Sequence, residues 1–289
     1  MTDAKVVLIT GCASGFGFES ALLFARRGFQ TVATVHSLQS DGVQRLRNIT
    51  KQEHLLLEIV ELDVTSDDSV TRGVATTLEK FGRIDILVNN AGFGFLGAIE
   101  DFTIDEVKTQ YETNIFGVLR MVKAVVPSMR EKKSGRIINI SSINGLIAFP
   151  LYSIYSSSKF AIETLSEGLR FELHPFGITV AMIEPGSFLS NFGKNGRHPA
   201  KNGTSDSPYK QLTDHFFTTY RGTHDIQHPL AMKLFGPPRV AKRIYQVATA
   251  RHPRLHNIIG IDAHLLLFLK IILPESVVSW MLRKAYQWE

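Results

Sequence analysis

The sequence of 289 residues has a single cysteine, Cys12, and only two tryptophans. One cysteine excludes an intrachain disulfide, which fits folding in a reducing compartment. A predicted strand begins almost at once, near Lys5, and the amino-terminal region shows neither the longer apolar stretch nor the cleavage site of a secretory signal. We therefore expect a cytoplasmic protein.

The sequence has no strong excess of charge of one sign. It contains 32 lysines and arginines against 27 acids, a net charge of +5, and the basic residues are scattered. The short basic cluster at residues 130–133 is typical of a solvated helix end rather than of a nucleic-acid surface. We expect no nucleic-acid partner.

Long uninterrupted apolar runs are absent as well. The most apolar segment, residues 258–273, is interrupted by Asp262, His264 and Lys270. It is also shorter than the ~20 apolar residues that a membrane-spanning helix needs. The segment predicts a buried strand followed by a helix, packed on the core or at a subunit interface. Membrane-surface attachment is the alternative.

The ten histidines do not predict a metal site. His224 and His228 are four residues apart, but a glycine and a proline flank them and oppose a helix. His252 and His256 have a proline between them and no acid. We therefore predict that no metal is bound.

What the sequence does contain is a regular alternation of strand and helix patterns. Nearly continuous apolar runs predict strands at residues 6–10, 30–35, 55–62, 84–89, 136–141 and 178–183. Helical patterns occur at residues 19–27, 67–81, 103–132 and 153–173. This order predicts an α/β fold, with a doubly wound parallel sheet covered by helices on both faces. We interpret residues 1–289 as a single domain.

Residues 187–236 differ from the rest of the chain. They are rich in glycine, asparagine, histidine and proline, and contain one predicted helix near residues 209–221. We predict that this segment is an insertion over the carboxyl edge of the sheet and forms a mobile lid over the substrate.

A glycine-rich turn follows the first predicted strand and opens the first helix. Glycines let the backbone turn tightly and approach a pyrophosphate, and the helix N-terminus offers free N–H groups to it. The alternative is a tight turn without a ligand. The predicted cofactor-binding residues of this turn are Gly11, Ser14, Gly15, Phe16 and Gly17.

The spacing Gly-x-x-x-Gly-x-Gly in this turn resembles that of the short-chain dehydrogenase/reductase family. Further residues match the family in chain order over about residues 5–190. They are Asp63, Val64, Asn90, Ala91, Gly92, Asn114, Ser142, Tyr155, Lys159, Pro185, Gly186 and Ser190. The chain looks most like the 17β-hydroxysteroid and retinol dehydrogenase branch.

The resemblance implies a Rossmann-type fold, a nicotinamide cofactor, and a homodimer that pairs through the helices at 103–132 and 153–173. It places adenine near Asp63 and Val64, and gives Asn114 a proton-relay water to hold. Ser190 stands where the family usually has a threonine that contacts the nicotinamide carboxamide. The other implied cofactor-binding residues are Asn90, Ala91, Gly92, Tyr155, Lys159, Pro185 and Gly186.

The choice of cofactor depends on the end of the second predicted strand. A carboxylate there would hold the ribose hydroxyls and repel a 2′-phosphate, but His36 and Ser37 follow this strand instead. Both side chains can hydrogen-bond a phosphate, although simple solvated turn residues would look the same. We predict NADP, with NAD as the alternative.

Tyr155 and Lys159 are four residues apart on a predicted helix, so that their side chains leave the same face. A nearby ammonium favours the phenolate and lowers a tyrosine pKa from its ordinary value of about 10. Ser142 lies 13 positions before Tyr155, the spacing in the family, and can orient the substrate oxygen. Tyr152 lacks the lysine partner, and the strand register should point Ser141 away from Ser142.

Substrate walls should come from loops at the carboxyl ends of the strands. The candidates are all apolar: Phe93, Phe95, Ile143, Leu146, Phe149, Phe188 and Leu189. This favours hydride transfer between NADP(H) and a hydrophobic ketone or secondary alcohol, such as a steroid, retinoid or lipid. The alternatives are a nucleotide-sugar epimerase or dehydratase and a cofactor-binding regulator without turnover.

Overall fold

A computed structural model describes residues 4–188, 196–201, 207–224 and 235–285. The strands are β1 (Val6–Ile9), β2 (Gln30–Val35), β3 (Leu57–Glu61), β4 (Ile86–Asn89), β5 (Gly135–Ile140), β6 (Ile178–Pro185) and β7 (Ile258–Ile259). The α-helices are α1 (Gly15–Arg26), α2 (Asp41–Gln52), α3 (Asp67–Phe81), α4 (Ile104–Tyr111), α5 (Gly117–Glu131), α6 (Ser153–Leu173), α7 (Lys210–His224), α8 (Pro237–Thr249), α9 (Ile261–Ile272) and α10 (Glu275–Ala285).

The strands form one parallel sheet in the order β3-β2-β1-β4-β5-β6-β7. The chain moves outward from β1 in one direction and then returns to add β4 on its other side. In open sheets of this kind, ligands bind outside the carboxyl ends of the strands where the order reverses. The predicted doubly wound fold is confirmed, and its reversal point lies between β1 and β4.

The core covers both faces of the sheet, and every residue of the central strand β1 is buried. Val7 and Ile9 pack in one layer, while Val6 and Leu8 pack in the other. Each such side chain contributes about 1.5–3 kcal/mol when it is fully buried. The central strands therefore provide a rigid base for the loops at their carboxyl ends.

Besides α10, two helices of the structure, α2 and α8, are absent from the sequence prediction. Helix α2 buries only Gly42, Val43 and Leu46, so its sequence contains few of the apolar residues from which a helix is predicted. Helix α8 begins with two prolines, which suit a helix start but also resemble a loop in sequence. Both helices pack beside α1 in the same layer of the core.

The long helix predicted over residues 103–132 is present, and the chain is helical from Ile104 to Glu131. A π-helical turn, Glu112–Phe116, separates α4 from α5. Such turns insert an extra residue into a helix and often occur at functional sites. This one buries Asn114 and Ile115.

The inserted segment is described only in part. Its predicted helix is present as α7, and the Phe216 ring packs against Tyr152 with 5.7 Å between ring centroids. Phe188, at the start of the segment, packs edge-on against Phe16 at 6.2 Å. Leu189 and Ser190 lie outside the described residues.

The carboxyl-terminal region forms the predicted strand and helix, β7 and α9, and continues into α10. The inner face of α9 packs on the core through buried Ala263, which lies in a cluster with Ile143 and Ile147. Among the described residues, the helices are too short or too polar to cross a bilayer.

Candidate active site

Glycine is required at several positions of the turn between β1 and α1. Gly11 and Gly15 have φ angles of +72° and +60°, in the left-handed region that favours glycine. A Cβ on Gly17 would lie 2.5 Å from the carbonyl oxygen of Gly11. The backbone therefore folds over itself here, leaving the N-terminus of α1 open to a ligand.

Thr10 and Asn90 join this turn to the end of β4. The Thr10 hydroxyl accepts the backbone N–H groups of Asn90 and Ala91, both at 3.0 Å. In return, Asn90 Nδ2 donates to the Thr10 carbonyl at 2.8 Å. The two loops at the reversal point are thus held in fixed relative positions.

A cleft of about 480 Å³ runs along the carboxyl ends of the strands. Of the predicted site residues, those that line it are Gly11, Ser14, Gly15, Phe16, His36, Asp63, Val64, Asn90, Ala91, Gly92, Phe93, Tyr155 and Lys159. Those that the structure describes away from its lining are Gly17, Ser37, Phe95, Asn114, Ser142, Ile143, Leu146, Phe149, Pro185, Gly186 and Phe188. The structure thus gathers the predicted cofactor-binding residues more completely than the predicted substrate walls.

Tyr155 and Lys159 meet at one end of the cleft. Both residues are buried, with 6% and 7% exposed. Lys159 Nζ lies 5.8 Å from the centroid of the Tyr155 ring and donates to the carbonyl oxygen of Ile140 at 2.8 Å. Burial lowers the Lys159 pKa to about 8, although Glu163 opposes this shift. The lysine stays mostly charged at neutral pH beside the phenol.

Asn114 holds the loop after β4 against α6. Its Nδ2 donates to the Phe93 carbonyl at 2.9 Å and to the Ser158 hydroxyl at 3.0 Å, while its Oδ1 accepts from the Phe93 amide at 3.1 Å. The π-helical turn supplies the local geometry for this side chain, which the helical pattern could not indicate.

Ser142 follows β5 and is 7% exposed. Its hydroxyl accepts from the backbone N–H of Asn144 at 3.1 Å. Ser141, the other serine here, lies beside Glu163; burial raises the pKa of that carboxyl, and the Ser141 hydroxyl opposes part of this rise. The two serines thus have different partners, and a substrate-orienting role for Ser142 stays a prediction.

The opposite end of the cleft lies beyond β2. His36 is exposed, and its Nε2 lies 3.5 Å from Asp63 Oδ2. Asp63 is held in a turn, where its Oδ1 accepts from the Thr65 amide at 2.9 Å. A mixed polar rim therefore faces the end of the cleft, and the carboxylate that it contains comes from the loop after β3.

The family model for short chain dehydrogenases matches residues 5–201 of the sequence. The chain belongs to the short-chain dehydrogenase/reductase family. It is accordingly an oxidoreductase of a family that uses nicotinamide cofactors, and the fold and motifs predicted from the sequence agree with this membership.

Relatives align with this short-chain dehydrogenase over nearly their full length. An uncharacterized oxidoreductase of Bacillus subtilis, YusZ, is 36% identical over 98% of both chains. A 3-ketodihydrosphingosine reductase of Bacteroides thetaiotaomicron is 34% identical, also over 98% of both chains. Retinol dehydrogenase 8 of Bos taurus is 35% identical over 89% of this chain and 82% of its own length.

Solved structures show the same fold. A short-chain dehydrogenase from Streptomyces avermitilis is 32% identical, with a TM-score of 0.79 over 96% of both chains. ElxO with NADP bound is 25% identical, with a TM-score of 0.71 over 91% of this chain and 99% of its own.

The residues of this short-chain dehydrogenase fit a nicotinamide dinucleotide. A Cβ at Gly11 would come within 2.9 Å of Ala91 Cα, so the cradle at the turn exists only because this residue is glycine. The cleft extends from His36 and Asp63 to Tyr155 and Lys159, and thus joins a polar rim to a buried cation. The glycine turn is the observation that carries this fit.

Arg197 is a cleft residue that the sequence analysis missed. Its guanidinium lies 4.4 Å from the centroid of the Phe93 ring, and its backbone pairs with the loop after β4 at Phe95. The predicted walls contain no cation, so Arg197 makes one side of the cleft more polar than expected. No motif in residues 187–236 predicts that Arg197 lines the cleft, because its position depends on a contact with Phe95, about a hundred residues earlier in the chain.

Other lining residues also went unpredicted, namely Leu62, Thr65, Thr109, Thr113, Ile140 and Ser141. Cys12, in the glycine-rich turn, is a packing residue of the core. It is fully buried, its thiol faces the Ile9 carbonyl at 3.2 Å, and burial raises its pKa.

A buried acidic cluster lies one helical turn beyond Lys159. Glu163 and Glu184 are 7% and 0% exposed at their side chains, and His256 Nδ1 lies 3.5 Å from the first and 2.9 Å from the second. Burial raises the pKa of each carboxyl to about 7. The imidazole is a polar partner that both buried carboxyl groups share. The partners of His256 are thus acids from α6 and β6 rather than His252.

Proposed function

We propose that this enzyme reduces a hydrophobic ketone, or oxidises the corresponding secondary alcohol, with Tyr155 as the group that transfers the proton. The observation that carries this proposal is the burial of Tyr155 and Lys159 side by side at one end of the cleft. When bound, the nicotinamide supplies or accepts the hydride. The chain itself must then move one proton at the substrate oxygen.

Lys159 supplies a fixed positive charge in this mechanism. Its Nζ is anchored on the Ile140 carbonyl, so the ammonium stays in place beside the phenol ring. A fixed positive charge favours the phenolate form of Tyr155. In alcohol oxidation the phenolate accepts the proton of the alcohol, and in ketone reduction the phenol donates its proton to the substrate oxygen. Burial strengthens this interaction because few water molecules screen it.

Asn114 and Ser142 complete the proposed catalytic set. Asn114 fixes the Phe93 loop and α6 relative to each other, so it holds one wall of the cleft next to Tyr155. Ser142 is assigned the binding of the substrate oxygen, since its hydroxyl accepts from the Asn144 amide and can donate its own hydrogen to that oxygen. Both roles rest on the family resemblance as well as on these contacts.

The apolar character of the substrate is supported by Phe93 in the cleft and by the apolar loop that follows Ser142. In this loop, Ile143, Leu146 and Phe149 pack together with α9. Two relatives are named for lipid-like compounds, 3-ketodihydrosphingosine and retinol. Arg197 adds one cation, which suits a substrate with a polar group at one end of an apolar body.

NADP is the proposed cofactor. Strand β2 ends without an acid, and His36 faces the cleft at the position where an acid would repel a 2′-phosphate. ElxO, with its bound NADP, shows that a relative of this fold accommodates that cofactor.

The proposal is tested by following nicotinamide absorbance over a panel of steroid, retinoid and long-chain ketones and alcohols. Turnover should occur on apolar carbonyls, and Tyr155→Phe should lower kcat by at least about a hundredfold while cofactor binding persists. Tyr152→Phe, on the same helix turn, is the matched control and should retain activity.

The same panel distinguishes the alternatives. An epimerase or dehydratase would convert nucleotide sugars without net change in nicotinamide absorbance. A regulator would bind NADPH but turn over nothing. Near-wild-type activity of Tyr155→Phe would overturn the catalytic assignment itself.

A further inference from the structure

The two carboxyl-terminal helices expose a set of large apolar side chains, each between 37% and 74% exposed. These residues, called here the terminal apolar face, are Ile261, Leu265, Phe268, Ile271, Ile272, Val277, Trp280 and Met281. Such a concentration on consecutive helices exceeds the scattered apolar residues that are normal on a protein surface.

The spacing of these residues places them on one side of each helix. In α9, Ile261, Leu265, Phe268 and Ile272 follow one another at intervals of four, three and four. In α10, Trp280 and Met281 follow Val277 at three and four residues. Both patterns form an apolar stripe along a helix.

The opposite side of α9 is already occupied. Leu266 and Leu267 pack with buried Ala263 against the loop after β5. Lys270 also turns towards the protein, since its Nζ donates to the Leu146 carbonyl. The terminal apolar face is therefore the outer surface of a single helix layer whose inner surface covers a candidate substrate wall.

The charges around this face have one predominant sign. Helix α10 ends in Arg283 and Lys284, and the sequence of this helix has a single acid, Glu275, at its start. The acid of α9, Asp262, is turned inward and accepts from the Ser187 amide at 2.6 Å. Apolar stripes bordered by basic residues and a tryptophan are typical of helices that lie in the interface of an anionic bilayer.

We propose that the terminal apolar face docks on the surface of an anionic lipid bilayer, with α9 and α10 lying in the plane of the interface. Helices of 12 and 11 residues are too short to span the hydrocarbon core, so the attachment is peripheral. Docking would also hold the enzyme at the surface in which a lipid-dissolved substrate lies, a consequence that rests on the proposed function. A second copy of the chain is the competing occupant.

Trp280 makes the proposal directly measurable. The chain has two tryptophans, so that Trp288→Phe leaves Trp280 as the sole tryptophan, which can be excited apart from the tyrosines. This variant is mixed with vesicles of phosphatidylcholine and phosphatidylglycerol, with and without brominated acyl chains. We expect a blue shift of Trp280 emission and quenching by the brominated lipid, both weakened by salt and by vesicles of phosphatidylcholine alone.

A substitution pair tests the face itself. Phe268→Glu with Ile271→Glu changes two residues that are 57% and 74% exposed, so the fold should persist. Vesicle-bound protein in sedimentation should fall at least about tenfold for this variant, since charge opposes burial in the interface. Leu56→Glu, an exposed leucine before β3, is the matched control and should bind vesicles normally.

Three outcomes would overturn the proposal. The first is unchanged Trp280 emission with vesicles of either composition. The second is equal sedimentation of the double variant and the wild type. The third is a loss of oligomers in the double variant, seen by light scattering, without any vesicle binding by the wild type; this would assign the face to a second copy. None of these readouts depends on catalysis, so they test the docking proposal independently of the proposed function.

Discussion

Replacing Glu163 by glutamine should change the pH range in which the enzyme works. Glu163 lies one helical turn after Lys159, its side chain is 7% exposed, and its charge raises the Lys159 pKa against the effect of burial. Glutamine keeps the size of the side chain and removes the charge. The Lys159 pKa, now about 8, should therefore fall further.

The size of this shift follows from Coulomb's law. Side chains one turn apart are about 6 Å from each other, and at an effective dielectric constant of about 20 a single charge is worth about 2.8 kcal/mol, or about two pKa units. His256, on the loop before β7, faces the same carboxylate and offsets part of its charge, as water does. We expect a net shift of about one unit, on the scale where one unit is about 1.4 kcal/mol.

The sign of the effect on activity is determined by the ammonium. Above the Lys159 pKa, the phenolate of Tyr155 loses the positive charge that favours it, so alcohol oxidation declines. In the wild type this decline should begin near pH 8, and in Glu163→Gln it should begin about one unit lower. The other charged groups that face Glu163, Glu184 on β6 and His256, are unchanged in the variant.

The assay is the pH profile of kcat and kcat/KM for one alcohol substrate. Glu163→Asp should restore part of the profile, and Glu167→Gln, at a carboxylate that is 54% exposed, is the matched control and should not shift it. A purely structural role for Glu163 would lower activity equally at every pH. A profile that superimposes on the wild type, from a folded variant, would refute the electrostatic reasoning while leaving the Tyr155 assignment intact.

The remaining predictions concern the cofactor, assembly, the lid and stability. The enzyme should have a higher kcat/KM for NADPH than for NADH, and His36→Asp should reverse the order; a preference of the wild type for NADH would contradict the assignment. Light scattering should show a homodimer at micromolar concentration, and Phe171→Glu, at a position 76% exposed on α6, should give monomers. Hydrogen exchange over residues 207–224 should slow when cofactor and an apolar inhibitor bind together, whereas unchanged protection would indicate a rigid segment. Burial raises the folded-state pKa of Glu163 and of Glu184 from 4.5 to about 7, so protonation stabilises the native state. The free energy of unfolding should consequently fall as pH rises from about 5 to about 8, by at most about 3 kcal/mol for each carboxyl, and Tm should fall with it. The fall should be smaller in Glu163→Gln.

The sequence alone determined the features that depend on contiguous residues. The glycine turn at residues 11–17 is readable because its backbone angles require glycine locally. The Tyr155 and Lys159 pair is readable because a helix repeats its face every three to four residues. The strand patterns predicted the parallel sheet, and the order of the motifs along the chain predicted the family.

Tertiary structure decided the features that join distant segments. Arg197 enters the cleft only because its backbone pairs with Phe95, and the acids around His256 come from elements far apart in the chain. The π-helical turn at Asn114 depends on contacts with Phe93 and α6 rather than on a helical pattern. The apolar run at residues 258–273 could be core, interface or membrane surface by its composition. Packing decided which of its side chains joined the core and which became the outer surface, because composition counts apolar residues while the fold decides what each of them faces.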